Sequence, residues 1–317
     1  MEIKQLGNTG VKLSEVILGC WQMGGSYFGG EDDAASAECI RAALECGITT
    51  FDTAYCYGSG HSEEVLGKAL EGRRQDCTII TKLWTTFMAG KDVIPECERA
   101  LKRLRTEGID VYFIHYPSES VPIGETMEQL NKLREQGKIR ALGLSNFSLK
   151  QMKEAMRYGQ IDVIQPCYSL LWRYIDRDIL PFCIQEGIGV LPYSPLAQGF
   201  LAGRVQEDTV FTDGRSHAPL FAPQWRKGAL EVADALLPIG EKHGRTQAQV
   251  ALNWVLRTPG ITGVIAGATK ARHVPDNKGA ADFALSPEEY ADLDGLSRRF
   301  TDQLPNYKTF FDATIVE

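Results

Sequence analysis

The sequence lacks the features that mark membrane, secreted and nucleic-acid-binding proteins. No apolar run approaches the roughly 18 residues of a membrane-spanning helix. The opening residues, MEIKQLGNTG, lack the apolar stretch of a secretory signal peptide, so we expect a cytoplasmic protein. Acidic residues outnumber basic ones by 41 to 34, and the net charge of −7 argues against nucleic acid or an anionic membrane as a partner.

Signals for disulfides, metal ions and a Rossmann domain are also missing. The eight cysteines include no C-x-x-C pair, so we expect reduced thiols that mostly fill the core. The five histidines are dispersed without H-x-x-x-H spacing, and no metal site is predicted. No G-x-G-x-x-G motif follows a strand pattern, which argues against a Rossmann domain.

The sequence does contain a regular alternation of strand and helix patterns. Short apolar runs predict eight strands, at 16–19, 49–52, 78–81, 111–114, 139–145, 163–166, 189–193 and 263–267. Helical patterns lie between them, and several end at glycine, as helices often do. Eight parallel βα units close a (β/α)₈ TIM barrel, whose active sites lie at the carboxyl ends of the strands. We therefore expect a single domain, 1–317.

Three segments depart from the βα alternation. The pattern EIKQLGNTGVKLS predicts an N-terminal β-hairpin that turns at its Gly-Asn pair. The long connection 197–245 contains an extra helical pattern near 225–243, and loops of this length are usually functional. Whether its first part, 197–226, closes over a ligand is left open. We expect the aromatic-rich C-terminal tail, 301–317, to fold over the barrel mouth.

Four polar residues at or just after three successive strand ends carry the predicted chemistry: Asp52, Tyr57, Lys82 and His115. A carbonyl attacked by hydride becomes an alkoxide that needs a proton, and tyrosine, with a pKa of about 10, is a poor donor near neutral pH. We expect the ammonium of Lys82 to lower the pKa of Tyr57, and Asp52 to hold Lys82. A neutral His115 is expected to orient the carbonyl oxygen. Each residue alone would equally fit packing or an ion pair, so the inference depends on the combination.

Longer motifs carry a family resemblance along almost the whole chain. They are FDTAYCYGSGHSEEVLGKAL, IHYP, GKIRALGLSNFS, QPCYSLL, LPYSPLAQGFLAGR and IAGATKARHVPDNKGA. On these motifs the chain resembles the aldo-keto reductases. It is most similar to bacterial reductases related to inositol-catabolism proteins, and more distantly to potassium-channel β subunits. The resemblance implies a TIM barrel, NADPH-dependent reduction of an aldehyde or ketone, and a tetrad of Asp52, Tyr57, Lys82 and His115 with Tyr57 as proton donor.

The same resemblance implies a site for NADPH/NADP⁺. The implied residues are Ser145, Asn146 and Gln165 at the carboxamide, Tyr193 against the nicotinamide ring, Ser194, Leu196, Gln198, Gly199 and Arg204 at the pyrophosphate, and Gly267, Thr269, Lys270, Arg272, Asp276 and Asn277 at the adenosine end. A helix start favours phosphate, and Lys270 and Arg272 would meet a 2′-phosphate, which favours NADPH over NADH. The alternative is that these two residues are solvated surface charges.

Aromatic residues near the strand ends predict a substrate pocket, formed by Trp21, Tyr27, Phe28, Trp84 and Tyr116. Arg173, after the sixth strand, fits either this pocket or a salt bridge, and Cys56 fits either a redox role or passive packing. The partner is expected to be a small carbonyl compound or alcohol. Aromatic walls suit many such compounds, so the natural substrate is not predicted.

Two other functions use the same residues. Oxidation of a sugar or polyol with NAD(P)⁺ would run the reaction in reverse, with Tyr57 as the base. A cofactor-sensing binding module, like the channel β subunits, would bind NADPH without sustained turnover. The sequence decides neither the physiological direction nor the oligomeric state.

Overall fold

A sheet of eight parallel strands forms the centre of the computed structural model, which describes residues 1–25 and 32–315. An antiparallel hairpin precedes it, so the strands in chain order are β1 (Ile3–Gln5), β2 (Lys12–Ser14), β3 (Val16–Gly19), β4 (Thr50–Asp52), β5 (Thr78–Leu83), β6 (Ile109–Ile114), β7 (Ile139–Ser145), β8 (Val163–Gln165), β9 (Gly189–Val190) and β10 (Val264–Gly267). Strands β3 to β9 pair in chain order, and β10 pairs with β3.

Backbone hydrogen bonds close the sheet into a ring. The N–H of Thr262 donates to the carbonyl oxygen of Val190 at 2.9 Å, and the N–H of Ile265 donates to that of Pro192 at 3.0 Å. These bonds join the segment that ends in β10 to β9 and to the residues that directly follow β9. The predicted (β/α)₈ TIM barrel and its N-terminal hairpin are therefore confirmed.

Helices cover the outside of the barrel. They are α1 (Asp33–Glu45), α2 (His61–Ala69), α3 (Gly90–Arg103), α4 (Ile123–Glu135), α5 (Leu149–Ala155), α6 (Ile179–Glu186), α7 (Pro223–Asp234), α8 (Leu236–His243), α9 (Gln247–Arg257), α10 (His273–Gly279) and α11 (Pro287–Thr301). Ser148, Thr246 and Ser286 begin α5, α9 and α11 with reciprocal capping boxes. Within the described residues, none of these helices is long and apolar enough to cross a membrane.

The extra helical segment predicted near 225–243 is present, but it is divided into two helices. Helix α7 ends at Asp234 and α8 begins at Leu236, with Ala235 between them. Pro238 lies three residues further on and has no N–H to donate to the carbonyl of Asp234. The proline thus removes one rung of the helical hydrogen-bond ladder at the break.

The interior of the barrel is a separate apolar cluster that the N-terminal hairpin closes from below. Its members are Leu6, Val11, Leu13, Ile17, Ile80, Val111, Phe113, Ala141, Val163, Leu191 and Ile265. Leu6 is fully buried, and a Cβ on Gly189 would lie 2.5 Å from its Cδ1, so the glycine makes room for this side chain. A closed lower end leaves the carboxyl ends of the strands as the open mouth.

A second hairpin, β11 (Tyr307–Thr309) and β12 (Asp312–Ile315), lies at this mouth. Phe310 at its turn is fully buried, with its ring centroid 5.2 Å from that of Trp172. Phe311 points into the mouth cavity described below. The expectation that the C-terminal tail folds over the barrel mouth is confirmed for the described part of the tail.

Because the first hairpin closes the lower end of the barrel, shortening the side chain of Leu6 should cost more stability than shortening that of Ile3. Leu6→Ala should lower the free energy of unfolding by about 2–5 kcal/mol, because it deletes buried methyl groups and leaves a cavity. Ile3→Ala on the same hairpin is the matched control. Ile3 is 56% exposed, so its truncation should change this free energy by less than about 0.5 kcal/mol. Urea unfolding measures both free energies, and equal effects would contradict the inference that Leu6 closes the lower end of the barrel.

Candidate active site

A cavity of about 640 Å³ opens at the carboxyl ends of the barrel strands. Most of the residues predicted for the site lie in its wall. From the tetrad these are Asp52, Tyr57 and His115; from the cofactor set they are Ser145, Asn146, Gln165, Tyr193, Ser194, Leu196, Gln198, Gly199, Arg204, Gly267, Thr269, Asp276 and Asn277; from the substrate set they are Trp21, Trp84 and Tyr116. Tyr27 and Phe28 lie outside the described residues.

A buried ion pair lies at the floor of the cavity. Lys82 at the end of β5 is 1% exposed, and its Nζ donates to Oδ1 of Asp52 at 2.7 Å and to the carbonyl of Thr53 at 2.8 Å. The other carboxylate oxygen of Asp52 accepts a hydrogen bond from Nε2 of Gln165 at 2.7 Å. Both charges are thus paired, and the predicted contact between Asp52 and Lys82 is present.

Tyr57 lies over this ion pair, with its ring centroid 5.3 Å from the Nζ of Lys82. Burial raises the pKa of Tyr57 well above its ordinary value, and the negative charge of Asp52 adds to the rise. The expectation of a lowered pKa was wrong, because burial dominates the pKa of this phenol and disfavours the phenolate. The phenol therefore stays protonated at neutral pH.

His115 is held among aromatic rings beside Tyr57. Its ring stacks on Tyr116 at 5.4 Å between centroids and meets Trp84 edge to face at 5.3 Å. Burial and the positive charge of Lys82 together hold the pKa of His115 well below its ordinary value. The imidazole is neutral, as predicted, and its ring centroid is 6.0 Å from that of Tyr57.

A chain of polar side chains continues from the ion pair to the aromatic ring of Tyr193. Ser145 Oγ donates to the carbonyl of Gln165 at 2.8 Å, and Asn146 Nδ2 donates to Ser145 Oγ at 3.0 Å. The hydroxyl of Tyr193 donates to Asn146 Oδ1 at 2.8 Å. Asn146 has a φ of 64°, a left-handed conformation that asparagine tolerates better than most residues. Amide groups and an aromatic face thus lie together at one end of the cavity.

The loop after β9 contains a cluster of left-handed backbone angles. Ser194, Ala197 and Gln198 have φ values of 53°, 47° and 53°, and such strain persists mainly where the surroundings fix a ligand site. Both polar atoms of the Gln198 side chain are buried and have no hydrogen-bond partner within the described residues. Arg215, from the long connection, donates to the carbonyl of Gln198 at 3.4 Å. The cavity wall therefore contains a buried amide that has no partner among the described residues, and beside it the guanidinium of Arg215, which is paired with Asp213.

Basic residues line part of the cavity, and of the three predicted ones, Arg204, Lys270 and Arg272, only Arg204 lies in the wall. Arg204 Nη2 and His273 Nε2 lie 3.5 Å apart there, and Arg215 is also in the wall. Lys270 and Arg272 are exposed and absent from the wall, although they flank lining residues along the chain. Their contact with a 2′-phosphate stays a prediction.

The wall residues that the sequence did not predict include the polar residues Gln22 and Arg215. Gln22 donates to the carbonyls of Gly19 and Ala268 at 2.9 and 2.7 Å, bridging β3 to the segment after β10. Its position directly after the predicted Trp21 was the available signal. Arg215 had none, because its place depends on the path of the long connection.

Arg173 does not belong to this cavity. It is buried, and its guanidinium pairs with Asp176 and Asp294 and lies 5.0 Å from the ring centroid of Trp254. Of its two predicted alternatives, the salt bridge is the one present.

Known proteins match this chain over most of its length. A family model described as the Aldo/keto reductase family matches residues 15–298. The NADH-specific methylglyoxal reductase of Escherichia coli (strain K12) is 33% identical over 308 residues, which cover 89% of this chain and 94% of that protein. The narrower resemblance to inositol-catabolism reductases and channel β subunits is not confirmed by the comparisons and stays a prediction.

Two solved structures share the fold over nearly their full length. The glycerol dehydrogenase AKR11B4 from Gluconobacter oxydans has a TM-score of 0.87 and 33% identity, and the match covers 99% of both chains. An aldo/keto reductase from Klebsiella pneumoniae in complex with NADP and acetate has a TM-score of 0.76 and 30% identity. That match covers 99% of this chain and 100% of the other.

The buried ion pair predicts a large loss of stability when one partner is removed. Lys82→Met should lower the free energy of unfolding by about 3–5 kcal/mol, because Asp52 is left as an uncompensated buried charge. Urea unfolding followed by circular dichroism measures the change.

The double variant Asp52→Asn/Lys82→Met is the matched control, since it removes both charges. It should be more stable than Lys82→Met alone. A double variant that is no more stable than the single variant would show that the buried charge is not the cause.

Proposed function

The chain belongs to the aldo/keto reductase family, and on that premise we propose that it reduces an aldehyde or ketone with NADPH, using Tyr57 as the proton donor. The observation that carries this proposal is the protonated phenol of Tyr57 above the Lys82–Asp52 pair, next to a neutral His115. An alkoxide forming in the cavity would find two neutral hydrogen-bond donors, Tyr57 and His115.

The residues of the cavity fit a nicotinamide dinucleotide. Ser145, Asn146 and Gln165 offer amide and hydroxyl groups to a carboxamide, beside the face of the Tyr193 ring. The unpaired, buried amide of Gln198 lacks a partner that a bound ligand would supply. When bound there, NADPH supplies the hydride for the carbonyl carbon.

The protein's own residues then act on the carbonyl oxygen. His115 donates a hydrogen bond that orients the oxygen and polarises the carbonyl. Tyr57 gives its proton to the same oxygen as negative charge develops, and the phenolate left behind lies near the ammonium of Lys82. The aromatic rings of Trp84 and Tyr116 form an apolar part of the wall at this end of the cavity.

Oxidation of a polyol is the second candidate, and the match to a glycerol dehydrogenase favours considering it. That direction needs Tyr57 as a phenolate base. Because burial raises the pKa of Tyr57, oxidation should become faster as the pH rises, whereas coenzyme levels would set which direction the reaction takes. A cytoplasmic location and a single catalytic domain over 1–317 remain predictions beside this proposal.

Steady-state oxidation of NADPH with a panel of aromatic aldehydes, methylglyoxal and open-chain sugars tests the proposal. Wild-type protein should turn over repeatedly on at least one class of carbonyl. Tyr57→Phe should lower kcat by about 10²–10⁴-fold, because it removes only the proton donor. Its dissociation constant for NADPH, measured by fluorescence titration, should stay nearly unchanged.

Near-normal turnover of Tyr57→Phe would contradict the role of Tyr57 as proton donor. NADPH binding by the wild type without turnover on any carbonyl would favour a sensing module.

Coenzyme choice gives an independent test. We propose that positive charge at the adenosine end favours NADPH through its 2′-phosphate. The Klebsiella pneumoniae relative was solved with NADP, whereas the Escherichia coli relative is named as NADH-specific. The double variant Lys270→Ala/Arg272→Ala should weaken NADPH binding at least about tenfold and leave NADH binding within about twofold, because only NADPH carries the phosphate. Dissociation constants for both coenzymes measure this. Equal weakening would show that these residues do not read the phosphate.

A further inference from the structure

The thiol of Cys56 lies against the imidazole of His115. Its Sγ is 3.5 Å from Nδ1 of the ring, within the range of a sulfur hydrogen bond. Cys56 directly precedes Tyr57 and is half-buried in the cavity wall. The resemblance that located the tetrad assigns nothing to this cysteine.

The direction of this hydrogen bond follows from the states of the two groups. Burial raises the pKa of the Cys56 thiol to about 12, so the sulfur carries its proton at neutral pH. His115 is neutral, and a neutral imidazole has one donor nitrogen and one acceptor nitrogen. Sulfur is a weak acceptor, whereas an unprotonated imidazole nitrogen is a good one. The thiol therefore donates and Nδ1 accepts.

The ring of His115 has little freedom to choose another arrangement. Tyr116 stacks on it with an interplanar angle of 23°, and Trp84 meets it at 82°. The hydrogen bond at one ring nitrogen decides which nitrogen carries the proton. With the ring fixed by packing, the thiol is the group that sets the tautomer.

We propose that Cys56 is a positioning residue that holds His115 in the tautomer with the proton on Nε2, so that Nε2 is ready to donate to the carbonyl oxygen. The expected effect on rate rests on the proposed carbonyl reduction, whereas the tautomer of His115 can be measured without it. It also assigns Cys56 a role other than redox chemistry, since a protonated thiol is a poor nucleophile.

Three substitutions at Cys56 separate hydrogen bonding from packing. Cys56→Ser retains a donor and should keep kcat within about threefold of the wild type. Cys56→Ala removes the donor and should lower kcat about tenfold, and Cys56→Asp offers an acceptor that draws the proton to Nδ1 and should lower it about 100-fold. KM should stay within about twofold throughout. Cys46→Ala, the same change at a half-buried cysteine outside the cavity, is the matched control.

Nitrogen-15 NMR of the imidazole rings reads the tautomer without any assay of activity. The chain has five histidines, and a His115→Gln variant identifies the resonances of His115. Wild type and Cys56→Ser should show Nε2 protonated and Nδ1 as an accepting nitrogen. Cys56→Ala should lose the shift of a hydrogen-bonded Nδ1, and Cys56→Asp should show Nδ1 protonated.

A wild-type spectrum with the proton on Nδ1 would overturn the proposal, whatever the variants do. So would equal kcat values for the Ser, Ala and Asp variants, because a packing role would not rank them by hydrogen-bond direction. Failure of the proposed function is a different result: no carbonyl is reduced by the wild type, while the NMR still reports the tautomer.

Discussion

A single buried ion pair, between Lys82 and Asp52, is the interaction on which the rest of the site depends. It joins the ends of β4 and β5, and Gln165 ties it to the end of β8. Burying two charges is costly, and apolar residues of similar volume would often stabilise a fold at least as well. The pair is therefore better explained by the site than by stability. It places a fixed ammonium and a fixed carboxylate, with no net charge, beneath the ring of Tyr57.

Burial determines the protonation of the residues above this pair, and the charges of Asp52 and Lys82 add to the effect at Tyr57 and His115 respectively. The same loss of water raises the pKa of Tyr57 and lowers that of His115, so both present neutral donors to the cavity. Two hairpins make the enclosure possible. The first closes the lower end of the barrel with Leu6, and the second places Phe311 beside Tyr193, with ring planes 8° apart and centroids 6.2 Å apart.

Features that depend on short sequence patterns could be predicted, and features that depend on the course of a long loop could not. Strand runs ending in Asp52 and Lys82 located the floor of the cavity, because parallel strands bring their carboxyl ends together. The inward position of Arg215 could not be predicted, since it follows from the course of a long connection. The pKa direction of Tyr57 was also mispredicted, because its burial, the main cause of the rise, follows from packing around the cavity and not from the motif.

The pH dependence of both reaction directions tests the central claim most directly. If a neutral pair beneath a buried Tyr57 keeps the phenol protonated, kcat for carbonyl reduction should be flat from about pH 6 to 9, since the donor form persists below its raised pKa. Alcohol oxidation, which needs the phenolate, should accelerate with pH across the same interval. A reduction rate that falls with an apparent pKa near 7 or 8, with oxidation already at its plateau there, would contradict the account. It would mean that Lys82 acts on Tyr57 as a free positive charge.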